Sequence, residues 1–304
     1  FFKHDLKALL AFSTVSHLGL ITMLLGTGTA FGAMTAVFHI LNHATFKAAL
    51  FMSAGIVDHE AHTRDIRRLG GLRHLMPVTA TIATVAALSM AGIPLFNGFV
   101  SKEMWLEEAL HTEMVGPVWL VPAICTFAAL FSAAYSFRFI THTFFGKARD
   151  DYPSHPHDPN AGMWLPPAFL ATLVVVIGCA PFLAEPLVKA VTGAVLGSTA
   201  EVPTYHLAIW HGLKPPLFLS GIAVAGGLLL LLLHRFLQKG WDVTPRPEAK
   251  VIFDGVVGGA AWLARRITCL LHDGSFTRYA AILTVTILAA AVHAYTSGGA
   301  APVS

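Results

Sequence analysis

The sequence predicts an all-α, polytopic membrane helix bundle, and three observations carry that reading. Of 304 residues, 55% are hydrophobic and only 12% are charged, against roughly 25% charged in an ordinary soluble domain. Mean hydropathy is +0.65. Apolar runs of about 20 residues, the length that crosses a hydrocarbon core as a helix, recur along the chain. The net charge of +3 comes without a basic stripe, which excludes a nucleic-acid partner. Cys125, Cys179 and Cys269 each sit in an apolar stretch and form no CxxC pair, so disulfide, zinc and iron–sulfur sites are not expected. The chain begins with Phe, and "FFKHDLKALLAF" has no cleavage pattern after it. That is not a signal peptide; the chain reads as starting partway through a larger protein.

Taken in order, spans are expected over 7–28, 31–56, 76–110, 118–145, 164–184, 215–236 and 279–296. The stretch 251–272 holds Arg265 and Arg266 near its centre. Each would cost about 2.5–3.5 kcal/mol at mid-membrane, so an interfacial or steeply tilted helix is expected there. Lys3, Lys7, Arg64, Arg67, Arg68, Arg73, Lys147, Arg149, Arg235, Lys239, Arg246 and Lys250 fall in connectors on one side. The opposite connectors hold little beyond Lys189 and Lys214, so the first set is predicted to face the cytoplasm. No internal repeat or low-complexity region is evident. The loop "DDYPSHPHDP" groups Asp150, Asp151, His155, His157 and Asp158. A surface metal would suit such donors, but Pro153, Pro156 and Pro159 favour an open, solvated loop.

The chemistry concentrates in "VFHILNHATFKAALF", residues 37–51. On a helix, steps of four drift by only ~40°, so His39, His43 and Lys47 share one ~80° face at ~6 Å intervals. Thr35 extends the stripe, and the other faces are apolar. Intramembrane ionisable residues usually face the bundle interior or water. Three on one face form a polar track, and proton transfer is the chemistry it suits, because imidazole titrates near neutral pH. A zinc reading lacks the HExxH glutamate and a third ligand. Taken singly, His39 also reads as a packed histidine and Lys47 as a snorkelling lysine.

The third span is interrupted. Gly92, Pro94, Asn97 and Gly98 cluster in "MAGIPLFNGFVSKEM", where Pro removes a donor and Gly adds freedom. A break at membrane depth is tolerated where the backbone lies in protein or lines a cavity; a simple proline kink is the plainer reading. Lys102, just beyond it, either lines a path or anchors the far interface beside Glu103, Glu107 and Glu108. Asp5 and Lys7 read as a cap on the first span, and His17 as a satisfied core histidine. "YHLAIWHGLKPPL", with His206 and His211, reads as an interfacial re-entry.

"DLKALLAFSTVSHLG", "HILNHATFKAALFMSAGIVDHEAHTRDIRRLGGL" and "MAGIPLFNGFVSKEMWLEEAL" together resemble the proton-conducting membrane subunits shared by respiratory complex I and Mrp-type antiporters. "GIVDHEAHTRDIRRLGGL" and "WHGLKPPLFLSGIAVAGG" bring the likeness closest to the large A subunits of multisubunit Na⁺/H⁺ antiporters. The resemblance runs from residue 3 to about 236 and is looser to 296. It implies that Lys47 is the buried lysine of the unbroken helix, with His39 and His43 the histidines before it. It implies that Lys102 is the lysine after the break, and that Lys7 belongs to the same polar axis. The implied fold is two inverted five-helix repeats with added helices. Residues 1–145 would be the core of the second repeat, 146–236 additional spans, and 237–304 an interfacial or tilted helix plus a last span. The first repeat, with the family's buried glutamate and its partner lysine, would precede Phe1. The C-terminal extension typical of these large subunits would be cut short or separately encoded.

The function implied is proton conduction within a cation/proton antiporter complex, exchanging Na⁺ for H⁺. The other subunits and the bilayer would be its partners, no redox cofactor would be needed, and this polypeptide would not transport alone. The alternative is a proton-pumping subunit of complex I or a membrane-bound hydrogenase, for which a long lateral helix after residue 250 is the discriminating feature. A membrane scaffold is a third reading, against which the buried stripe argues.

Overall fold

The computed structural model describes residues 1–112, 116–149, 152–244, 249–271 and 274–297. Asp150, Asp151 and Arg246 lie outside them. Apart from one isolated bridge between Asp5 and Asp65, regular structure among the described residues is helical. The chain divides into two units, Phe1–Asp242 and Val243–Ser304.

In the first unit, α1 (Leu6–Gly26) starts at Asp5, whose carboxylate accepts from the Ala8 N–H at 2.8 Å. Such a side-chain acceptor satisfies an amide that has no partner inside the helix. Helix α2 (Ala30–Ala61) starts at Thr29 and runs 32 residues, more than the ~20 a bilayer needs, so it continues past residue 56, where its span was expected to end. Helices α3 (Pro77–Ala91) and α4 (Asn97–His111) are the two halves of the interrupted span. Helix α5 (Leu120–Ile140) ends in a π-helical turn, Thr141–Phe145. Then come α6 (Ala161–Cys179), α7 (Glu185–Leu196), α8 (Pro215–Leu232) and α9 (His234–Val243). Helix α2 packs against α1, α3, α4, α6 and α7, while α5 packs against α8, α3 and α4.

Among the described residues, six helices are long and apolar enough to cross a membrane: α1, α2, α5 with its π turn, α6, α8 and α11 of the second unit. Their outward faces carry exposed apolar side chains such as Phe12, Val15, Phe127, Phe218 and Ile222, as a hydrocarbon surrounding requires. Helix α7 was expected to be loop. Its Glu185 and Lys189 pair at 2.6 Å across one turn, and its 12 residues cannot span; hydropathy alone does not register such a helix. The 202–214 segment is not helical. It is tied to α7 through the Leu207 N–H, which donates to Glu185 at 3.1 Å. The Lys189 ammonium, with that amide, holds the Glu185 carboxyl below its ordinary value.

Within the first unit, the Lys/Arg-rich connectors gather at one end. Arg64 meets Asp5 at 3.0 Å, Lys7 meets Asp58 at 2.7 Å, and Arg149 Nε donates to the Leu69 carbonyl at 3.2 Å. At the other end Thr29 donates to Glu108 at 2.6 Å and Lys214 lies 3.7 Å from Glu107. The "DDYPSHPHDP" loop is more engaged than its prolines suggested. His157 lies 3.3 Å from the buried Glu60. Asp158 accepts from the N–H groups of Val78 and Thr79 and from the Thr79 hydroxyl, at 2.7–3.0 Å. It thus caps α3 from a distant part of the chain, where Met76 offers no side-chain acceptor.

The second unit holds α10 (Ala249–Leu271) and α11 (Phe276–Ser297). Helix α10 is not among those able to cross by length and composition. Its Arg266 guanidinium lies 5.4 Å from the centre of the Trp262 ring.

Removing the borrowed cap tests the fold. Asp158→Ala should lower stability by about 1–2 kcal/mol, read as a lower Tm of the detergent-purified complex, and Asp158→Asn should recover part of it. Equal melting of all three would show that water serves the α3 amides equally well.

Candidate functional site

The break between α3 and α4 spans residues 92–96. Gly92 sits at φ +78°, a conformation glycine adopts without strain. A Cβ there would also lie 2.6 Å from Lys102 Cδ, so the lysine stem passes directly over the glycine. Leu95, at φ +75°, holds a left-handed backbone that costs a non-glycine residue of order 1–3 kcal/mol. The carbonyls freed at the end of α3 find side-chain donors. Lys102 Nζ donates to the Ala91 carbonyl at 2.6 Å, and Ser132 Oγ to that of Met90 at 3.1 Å. A lysine ammonium at a helix C-terminus is also favoured by the helix dipole. Asn97 stitches the break: its carbonyl side-chain oxygen accepts from Ser89 at 2.7 Å, its amide donates to Thr45 at 2.9 Å, and its backbone oxygen accepts from Asn42 at 3.1 Å. Gly98 lets α4 start hard against Ser89, whose hydroxyl accepts from the Gly98 N–H at 3.0 Å.

Helices α1 and α2 run antiparallel, which brings His17 of α1 against the stripe on α2. His17 Nδ1 and His39 Nε2 are 3.0 Å apart. His39 Nδ1 meets Ser101 Oγ of α4 at 3.1 Å, and His17 Nε2 meets the Tyr135 hydroxyl of α5 at 3.2 Å. The His43 ring centre is 5.2 Å from that of His17, and its Nε2 is buried without a partner. Lys47, 4% exposed, donates to Ser13 and, at 3.3 Å, to the Leu10 carbonyl. Lys102 is 3% exposed. A cavity of about 40 Å³, with room for a water or two, lies between Lys102, His39, His17, Tyr135, Ser132 and Ser89.

The direction of this chain can be worked out atom by atom. The Ser132 proton goes to the Met90 carbonyl, which can only accept. Tyr135 donates to Ser132 at 3.1 Å, so its oxygen must accept from His17 Nε2–H. A neutral His17 then has a bare Nδ1, which accepts from His39 Nε2–H, and this leaves His39 Nδ1 bare toward Ser101, whose single hydroxyl proton lies between that nitrogen and the Gly98 carbonyl at 3.3 Å. From His39 through His17 and Tyr135 to Ser132, every donor points the same way, and the series ends on the Met90 carbonyl.

The structure thus brings together Lys47, His39, His43 and Lys102 around one polar interior, with the break residues Gly92, Asn97 and Gly98 at its edge and Pro94 exposed at the turn between the two half-helices. Thr35 is buried with its hydroxyl unpartnered. Lys7 is placed apart, in its half-exposed ion pair with Asp58, one turn before Leu10. His17, expected to be a satisfied core residue, is the hub. Tyr135, Ser132 and Ser13 were not singled out as partners. The polar residues of "FSAAYSF", spaced i and i+3 inside an apolar run, carried the signal for the first two.

Residues 1–132 match the family described as NADH:quinone oxidoreductase/Mrp antiporter, transmembrane. The chain is 52% identical to the A/B subunit of a probable K(+)/H(+) antiporter of Rhizobium meliloti, over 86% of this chain and 26% of that protein. It is 38% identical to the A subunit of the Na(+)/H(+) antiporter of Alkalihalophilus pseudofirmus, over 89% of this chain and 38% of that protein. The structure of an Mrp complex from Dietzia sp. matches with a TM-score of 0.74 and 32% identity, over 99% of this chain and 33% of that one. A membrane-bound sulfane sulfur reductase shares the fold at a TM-score of 0.60 and 22% identity, over 96% of this chain and 53% of that one. The chain therefore spans between about a quarter and two fifths of these curated relatives' length.

The tautomers give a direct test. With ¹⁵N-labelled histidine, His17 should report Nε2–H and bare Nδ1, and Tyr135→Phe should let the two forms mix. An Nδ1–H signal in the unaltered protein would reverse the assignment.

The interrupted helix, the buried lysines on either side of a histidine pair, and these likenesses agree with the match of residues 1–132 to the NADH:quinone oxidoreductase/Mrp antiporter transmembrane family.

Proposed function

We propose that the chain is the proton-conducting part of the large A-type subunit in a multisubunit cation/proton antiporter of a bacterial cytoplasmic membrane. The observation that carries this is the continuous series of hydrogen-bonding groups from Ser101 through His39 and His17 to Tyr135, with a buried lysine at each flank. Lys102 faces the cavity beside His39, and Lys47 rests on Ser13, which also interacts with Tyr135. A proton delivered on the Lys102 side enters His39 at Nδ1, leaves at Nε2 to His17, and leaves His17 toward Tyr135. Lys47, in its neutral form, is the acceptor beyond, reached when the Tyr135 and Ser13 hydroxyls turn from Ser132 and the Leu10 carbonyl. His43 lies against His17 as a side branch. Lys7 and Asp58 form the mouth on the Lys/Arg-rich face, which is the cytoplasmic one under the positive-inside rule.

The stretch 1–145 serves as the second of two inverted repeats, the remaining spans supporting it. The other subunits would supply the rest of the path, and no redox cofactor is required. The exchanged cation is Na⁺ or K⁺, since the named relatives divide between the two. The redox-driven reading has less behind it: α10 runs 23 residues, not the length of a lateral helix joining neighbouring subunits.

The test uses inverted vesicles from antiporter-deficient cells expressing the complete operon. Adding Na⁺ or, separately, K⁺ should collapse a preformed pH gradient. Lys47→Ala should abolish the response, and His17→Phe should slow it by roughly 10²-fold, the usual cost of losing a positioned proton carrier. Native gels should show both complexes intact. Wild-type rates in an assembled Lys47→Ala complex would sink the relay; no cation response from the unaltered complex would sink the antiporter reading.

A further inference from the structure

At the Lys/Arg-rich end, the segment before α1, the loop after α2, the turn after α5 and the α8–α9 junction enclose a cleft of about 770 Å³. Its walls carry Arg67, Arg138, Lys147, Arg149 and Arg235, and no carboxylate. Arg67 is neutralised by Asp65 at 2.6 Å, and at the rim Asp242 accepts from Gln238 at 2.8 Å. Among the described residues the other four cations have no acidic partner. Arg138 is 1% exposed. It donates to the backbone oxygens of Phe1 and Lys3 and contacts His4, yet its Nε has no partner. His234, 8% exposed, also lines the cleft with an unpartnered Nε2. Burial and then the Arg138 charge hold His234 down to about 4, so at neutral pH its ring is an uncharged donor and acceptor.

Several cations crowded without counter-charge are costly, and a multivalent anion repays that cost through charge-assisted hydrogen bonds. Guanidinium groups suit a phosphate best, because their fork matches two of its oxygens. We propose that this cleft binds a phosphate-bearing anion, and that the anion is the headgroup of an acidic phospholipid. Three features favour the lipid over free phosphate. The cleft is of the size that holds a small organic group and far exceeds a phosphate ion. Beside Arg235, Leu232 and Phe236 project outward, 81% and 76% exposed, where acyl chains would lie. The cleft also sits at the span ends on the basic face, where anionic headgroups accumulate.

The assembled complex that contains this chain would be placed in nanodiscs of phosphatidylcholine alone, of phosphatidylcholine with phosphatidylglycerol, and of phosphatidylcholine with millimolar inorganic phosphate. Tightly retained acidic lipid would be counted by native mass spectrometry, and stability followed by melting. The comparison is the double variant Lys147→Gln with Arg235→Gln; both side chains are exposed and make no hydrogen bond or ion pair among the described residues, so folding should survive. Retained phosphatidylglycerol and a raised Tm in the wild type are expected, with binding roughly 30-fold weaker in the variant at about 1 kcal/mol per cation. The same stabilisation by phosphate in neutral nanodiscs, lost in the variant, would keep the anion site and overturn the lipid as its occupant. Equal lipid retention in both proteins, or no effect of either anion, would overturn the site itself.

Discussion

The hydrogen bond from Lys102 to the Ala91 carbonyl closes a gap that the rest of the bundle is arranged around. It gives a buried ammonium an acceptor and gives the end of a broken helix a donor, each deficiency answering the other. Without water nearby, either group alone would be costly. The pairing works only because Gly92 has no side chain to hold the lysine stem away. Ser132 and Ser89 serve the Met90 carbonyl and the Gly98 N–H of the break, and Asn97, through Thr45 and Asn42, ties it to α2.

That tie explains why α2 is unbroken. A straight helix presenting one residue per turn is a ruler: it fixes His39, His43 and Lys47 at a constant pitch against whatever packs beside it. Antiparallel α1 answers with Lys7, Leu10, Ser13 and His17 at the same pitch. The histidine contact between the two helices is therefore a matter of register, and α4 and α5 deliver Ser101 and Tyr135 to its two ends.

Most of this was legible in the sequence where a rule of periodicity applied. The spans, the polar stripe and the interruption follow from hydropathy, a four-residue step and a Gly/Pro cluster. Helix α7 escaped because amphipathic helices of three turns leave no apolar run. Asp158 escaped because it caps a helix eighty residues away in sequence, and no local pattern records that. His17 was undervalued for a similar reason: on α1 it is a lone histidine, and only the packing of α1 on α2 turns it into a junction. Lys7 shows the reverse case, a lysine at the right pitch whose charge is satisfied by Asp58 before the interior begins.

The uniform orientation of donors from His39 to Ser132 has a further consequence for the proposed relay. A proton that passes along such a series leaves every hydroxyl and imidazole reversed, with its hydrogen on the opposite side. A second proton from the same direction then finds no acceptor. The series recovers only when the rings and hydroxyls turn back or the hydrogens are drawn out the way they came. Under the proposed function, conduction through it would be discrete, one charge per reset, at the pace of two stacked imidazoles turning in a packed interior. Such an arrangement would behave as a ratchet tooth rather than a pipe, and an exchanger of the proposed kind would need that property if its gradient is not to leak away.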